Sequence, residues 1–162
     1  MTHGTQFTIE LIRNLFNYDP ETGYITRIVS YGRALTGQVF CDANNVSVLG
    51  VPIRPARLAW ALHNGAWPPD DMFVDHINGI KADNRIVNLR LATPTQNQYN
   101  KAATSFYPKG VTWRNRLQKP WQAKIRVNGT RYHLGSFETM EEAAEAYRKA
   151  ALEHHGDFAC LE

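Results

Sequence analysis

The chain is poor in the residues that cross-link proteins or carry them through membranes. Its two cysteines, Cys41 and Cys160, lie far apart in 162 residues. They form no disulfide framework and cannot complete a four-cysteine zinc cage, so a reducing, cytoplasmic setting is expected. No apolar run approaches the ~18 residues that argue for a membrane span. The N-terminus, Met1-Thr2-His3-Gly4-Thr5-Gln6, lacks the basic-then-apolar order of a signal peptide. Nothing points to a protein partner. Acidic residues are absent from one long segment. The 54 residues from Asn84 to Phe137 hold no Asp or Glu but ten bases: Arg85, Arg90, Lys101, Lys109, Arg114, Arg116, Lys119, Lys124, Arg126 and Arg131. Interleaved with Trp113, Trp121 and Tyr132, this run reads as a polyanion-binding surface, because bases that contact phosphates release condensed counterions.

What is present divides into a β-rich first part, a polar centre and a basic end. Thr8 caps a helix over Ile9 to about Phe16. Asp19-Pro20-Glu21-Thr22-Gly23 is a turn, and Tyr24–Val29, Gln38–Cys41 and Val46–Val51 are strand candidates. Arg57–His63 reads as a helix closed by Gly65. Met72-Phe73-Val74 is a short strand running into Asp75-His76, with Asn78-Gly79 as a turn. Leu89–Ala92 is a second strand, and Thr93-Pro94-Thr95-Gln96 opens a helix that carries Asn97. After a polar linker, Gly110–Arg116, Trp121–Val127 and Arg131–Leu134 read as strands. Asn128-Gly129 joins the last two, and Thr139-Met140-Glu141-Glu142 is a capping box for a helix to about His155.

The centre carries the chemistry. Hydrolysis of a phosphodiester needs an activated water, neutralisation of charge on the phosphoryl oxygens and help for the leaving 3′ oxygen. A hard divalent ion, Mg²⁺ or else Mn²⁺, does the last two with few protein oxygens. Asp75 supplies a carboxylate oxygen, and Asn97 could add an amide oxygen. Strand alternation points His76 away from Asp75 and leaves it to act on the water, a role for which histidine as a residue type is suited. Asn88 is a candidate to hold the second ring nitrogen. Asn78 and Asn84 read as turn and cap residues. His3, His63, His154 and His155 read as surface or packing residues.

Alternation also sorts the last three strands. Val111, Trp113, Ala123, Ile125, Val127, Tyr132 and Leu134 fall on an apolar face toward the helix residues Ala143, Ala144, Tyr147, Ala150 and Ala151. Thr112, Arg114, Arg116, Lys124, Arg126, Arg131 and His133 fall on the other. A basic sheet face of this kind can enter the major groove of double-stranded DNA. Arg85 and Arg90 are further candidates for phosphate contacts. Two rival readings exist: a DNA-binding regulator without catalysis, and a structural zinc protein, for which the ligands are missing.

The motif Asp75-His76-Ile77-Asn78-Gly79, Asp83-Asn84, Asn88-Leu89-Arg90, Thr93 and Gln96-Asn97 resembles that of phage-type HNH homing endonucleases. The resemblance implies an α+β chain with a ββα-metal nuclease module over 54–100. It implies Asp75 and Asn97 as metal ligands, His76 as general base, Asn88 as its orienting partner, and 5′-phosphate and 3′-hydroxyl products. Lys109-Gly110-Val111, Trp121–Arg126, Leu134–Thr139, Glu142-Ala143-Ala144 and Tyr147 resemble the plant Apetala-2/ethylene-response-factor DNA-binding domain. That implies a three-stranded sheet plus helix over 109–162. Composition places a linker over 101–108, and an N-terminal helix and β-rich region over 1–53. Thr112, Lys124 and His133 depart from the plant pattern, so its target sequence does not carry over. At Ala56-Arg57, HNH relatives often have His before the Arg. The pairing of modules is typical of phages and mobile elements of bacteria.

Overall fold

Helix starts are written into the chain as capping residues, and they fix the element order. The computed structural model describes residues 6–41, 44–103, 105–115 and 118–161. Thr8 accepts from the Leu11 amide and opens α1, Ile9–Leu15. Phe16, expected at the end of that helix, instead begins β1, Phe16–Tyr18, which pairs antiparallel with β2, Ile25–Arg27. The Asp19 carboxylate accepts from the Glu21 amide and the Thr22 hydroxyl, which makes the turn between them. β3, Val39–Phe40, adds to β2.

The stretch expected as one strand, Val46–Val51, is a hairpin. β4, Val46–Val48, turns through Leu49 and Gly50 into β5, Val51–Ile53. Leu49 takes a positive φ of 48°, which leucine seldom adopts, so its side chain gives no turn signal. α2, Pro55–Asn64, starts with Pro at its first turn and stops at Gly65.

β6, Phe73–His76, and β7, Leu89–Ala92, form an antiparallel pair in the register Asp75↔Arg90 and His76↔Leu89, with a 3-10 turn at Ile86–Asn88 before β7. α3, Pro94–Tyr99, follows. Strand, loop, strand and helix thus occur in the order expected for 54–100.

The chain divides into two units, Met1–Pro94 and Thr95–Glu162. Tyr99, at the end of α3, is tied into the second. The Tyr99 hydroxyl accepts from the Asn128 amide at 2.8 Å, and the Tyr99 ring stacks on His155 at 3.7 Å. Lys109 donates to the Tyr99 carbonyl.

In the first unit, Ile12, Phe16, Ile25, Val46, Val48, Ile53 and Leu58 make the core, and Leu89 and Val74 anchor the β6–β7 pair to it. Arg57 holds the approach to β6, donating to the carbonyls of Met72 and Pro68 at 3.0 and 3.2 Å.

The second unit is a three-stranded antiparallel sheet in the order β10-β9-β8: β8 Val111–Trp113, β9 Trp121–Val127, β10 Thr130–Phe137. α4, Met140–His155, opens with a full capping box between Thr139 and Glu142. Ala143, Ala144, Tyr147, Ala150 and Ala151 bury their side of it against Val111, Ala123 and Ile125. A register shift between His133 and Gly135 lets Leu134 join this core. Trp113 and Tyr132, expected on the apolar face, sit on edge strands and stay 44% and 52% exposed. Among the described residues no helix is long and apolar enough to cross a membrane.

Candidate functional site

The β6–β7 pair sets the site because its alternation separates neighbouring side chains. Asp75 and Arg90 are cross-strand partners, and so are His76 and Leu89. Asp75 and His76 therefore leave opposite faces of the pair. Asp75 is 7% exposed; its Oδ2 accepts from Arg90 Nε at 3.0 Å, and an Nη of the same guanidinium lies at ion-pair distance, 3.0 Å. Arg90, expected to contact DNA phosphate, thus meets a carboxylate in this structure. A charge as deeply set as that of Asp75 needs such a partner.

His76 differs from expectation in its partner. Its Nε2 lies 3.1 Å from Asn84 Oδ1. Asn88, expected there, turns its side chain into the loop: Oδ1 accepts from the Asn78 amide, and Nδ2 donates to Asn78 Oδ1 and the Asp83 carbonyl, at 2.8 to 3.0 Å. The physical reason is the path of residues 77–83. Asn78 also reaches Asp83 Oδ2 at 2.8 Å and caps Ile80, so Asn78, Asp83 and Asn88 close the loop on itself. That closure brings Asn84, not Asn88, under the imidazole. Asn84 was legible only as half of the Asp83-Asn84 pair.

Arg85 folds back on Asp83, with Nε–Oδ1 at 2.7 Å and Nη–Oδ2 at 2.6 Å. Arg85 holds the Asp83 carboxyl well below the usual carboxylate range. The guanidinium stays about half exposed.

The first turn of the chain reaches the same loop. The Tyr18 hydroxyl donates to the Asn84 carbonyl at 2.8 Å, and the Ile86 amide donates to the Pro20 carbonyl at 3.1 Å. Burial, with the charges of Asp19 and Asp83, pushes the Tyr18 phenol up to about 12, so it stays a donor. No pattern in the sequence marked Tyr18 for this.

The second unit brings most of the expected basic residues together. Arg126 stands directly opposite Arg131, and Lys124 opposite His133. Arg126, Arg131 and His133 are exposed, and Lys124 is half-buried. Like charges placed opposite each other across strands are destabilising, by roughly 0.2–1 kcal/mol, unless an anion meets them. Arg114 is exposed just beyond the end of β8, and Arg116 lies outside the described residues.

The HNH endonuclease family model matches residues 56–99. Protein 3.8 of Escherichia phage T7 is 33% identical over 104 residues, covering 62% of this chain and 83% of that protein. The chain belongs to the HNH endonuclease family.

This HNH chain is also 42% identical over 91 residues to an uncharacterized HNH endonuclease of Acanthamoeba polyphaga mimivirus, covering 56% of the chain and 47% of the relative. It thus spans about half the length of that relative. Ethylene-responsive transcription factor 1 of Solanum lycopersicum is 44% identical over 66 residues, 37% of the chain and 27% of the plant protein. No solved structure matches the HNH chain.

HNH nucleases generally use a divalent metal. Among the described residues no cluster of three or more His, Cys, Asp or Glu could hold an ion. In the first unit the motif offers the Asp75 carboxylate on β6, and in the second the amide of half-buried Asn97 on α3. Oxygen donors of this kind suit a hard ion rather than a thiolate or imidazole cage.

Proposed function

We propose that the chain is a metal-dependent DNA endonuclease of the homing type, cutting phosphodiesters to 5′-phosphate and 3′-hydroxyl ends, with its C-terminal unit binding the DNA. The observation that carries this reading is the pairing of His76 Nε2 with a side-chain amide, beside the deeply set Asp75. An imidazole whose ring plane is fixed by such a contact suits a general base.

In this reading His76 removes the proton from the attacking water. Asp75 and Asn97, both inside the 56–99 match, supply the oxygens that hold the ion. A bound Mg²⁺ or Mn²⁺ supplies charge neutralisation at the phosphate and assistance to the departing oxygen. Arg90 fixes the Asp75 carboxylate in place. Asn88 serves by locking the 78–83 loop.

The basic sheet face is the docking surface for double-stranded DNA, through Arg126, Arg131, Lys124 and His133. Arg114 extends it, Arg116 is a further DNA contact on the strength of the sequence alone, and the half-exposed Arg85 is a phosphate contact near the loop. The similarity to the plant transcription factor supports this assignment.

A plasmid-nicking assay tests the proposal. Supercoiled DNA should be nicked with Mg²⁺ and left intact with EDTA, and His76→Ala should lose about 100-fold or more in rate, within the range of a lost general base, while still binding DNA. Binding without nicking by the wild-type chain would make it a DNA-binding regulator instead.

A further inference from the structure

Asn84 is more completely enclosed than any other polar residue of the loop, at 1% exposed. Its Oδ1 faces His76 Nε2 at 3.1 Å, and its Nδ2 is buried with no hydrogen-bond partner. A buried amide with half its capacity unused is a poor choice for stability alone. It is a good choice for a fixed acceptor.

Its backbone is clamped as tightly as its side chain is enclosed. Tyr18 donates to its carbonyl at 2.8 Å. The turn between β1 and β2 lies flat against it: a Cβ at Gly23 would sit 2.7 Å from the Asn84 carbonyl carbon and 2.5 Å from the Arg85 nitrogen. Pro20 accepts from the Ile86 amide just beyond.

We infer that Asn84 is a positioning residue that fixes the tautomer and ring plane of His76, and that the Tyr18–Gly23 turn is the brace that holds Asn84 in place. The inference rests on the reading of His76 as the base. With the amide oxygen on Nε2, that nitrogen carries the hydrogen and Nδ1 of the neutral ring carries the lone pair. Holding an imidazole in the productive tautomer is a large part of what such a partner contributes. The first β region thereby becomes part of the catalytic apparatus, although none of its side chains reaches the reacting atoms.

The test starts without substrate. Long-range ¹H–¹⁵N correlation of the His76 ring in the full chain, free of DNA and metal and with the imidazole neutral, should show hydrogen on Nε2. Asn84→Leu should mix the tautomers and lower kcat about 100-fold with KM for DNA unchanged. Asn84→Asp retains an oxygen acceptor and should stay within about tenfold of wild type. Tyr18→Phe should lower kcat by a smaller factor, again without moving KM. Hydrogen on Nδ1 in the wild-type chain overturns the inference, and so does wild-type kcat in both Asn84→Leu and Tyr18→Phe. If Asn84→Leu does not fold, the wild-type tautomer and Tyr18→Phe decide. Undiminished nicking by His76→Ala would remove the nuclease role of His76 instead, and the tautomer measurement separates the two failures.

Discussion

Asn84 and Asn88 have identical side chains four residues apart and do different work. Each could have faced His76 by spacing alone. The choice is made by loop closure through Asn78 and Asp83 and by a turn some sixty residues earlier in the chain, which no local pattern reports. The same turn yields a prediction. Gly23 has φ +77° and backbone atoms of Asn84 and Arg85 within 2.5–3.1 Å of an added Cβ. Gly79 has φ +72° and nothing within 4 Å. Both pay the left-handed strain of a non-glycine residue, ~1–2 kcal/mol. Only Gly23 adds a backbone clash, so Gly23→Ala should destabilise by about 3 kcal/mol or more and Gly79→Ala by about 1. Denaturant unfolding of the two variants checks this, and equal losses would mean that the turn does not press on the loop.

At the scale of elements, the legible parts were those whose signal is local. Thr8, the capping box at Thr139 and the Asn128-Gly129 turn each announced the element they start or join, and α1, α4 and the β9–β10 pair lie there. Elements decided by distant contacts were read less well. The Leu49-Gly50 turn split one expected strand into two, and β10 runs past its bulge to Phe137 because Leu134 is wanted in the core. The end of α4 carries a further device. His155 is buried, stacks on Tyr99 and places Nε2 2.9 Å from the Arg126 carbonyl. Burial pushes its pKa down, helped by the charges of Lys109 and His154. The folded unit therefore prefers neutral His155, and the unfolded chain binds more protons as pH falls. The stability it gives is complete above the ordinary histidine pKa of about 6.5 and is lost as pH drops through the lower folded value. His155→Phe keeps the stack without the titration. Its unfolding midpoint should fall less than that of wild type between about pH 7 and pH 5; parallel curves would count against the assignment.

Over the whole molecule, the feature most visible in the sequence was the acid-free basic run, because net charge density needs no folding to be read. What the sequence could not show was that Arg126 and Arg131 would stand directly opposite each other, a placement set by the hairpin register. In isolation that pair works against the sheet; with a polyanion it becomes favourable. Arg126→Gln should therefore leave stability unchanged or raise it by up to ~1 kcal/mol, while weakening DNA binding. The slope of log affinity against log salt should become shallower by about one, as for the loss of one phosphate contact. If the basic sheet face targets and the HNH motif cuts, the loss in cleavage should fall on KM, whereas His76→Ala should spare binding and remove turnover. Binding titrations at several salt concentrations, run beside single-turnover cleavage for both variants, test that division. A loss of kcat as large as the loss of affinity in Arg126→Gln would mean that the sheet face also shapes the site that cuts.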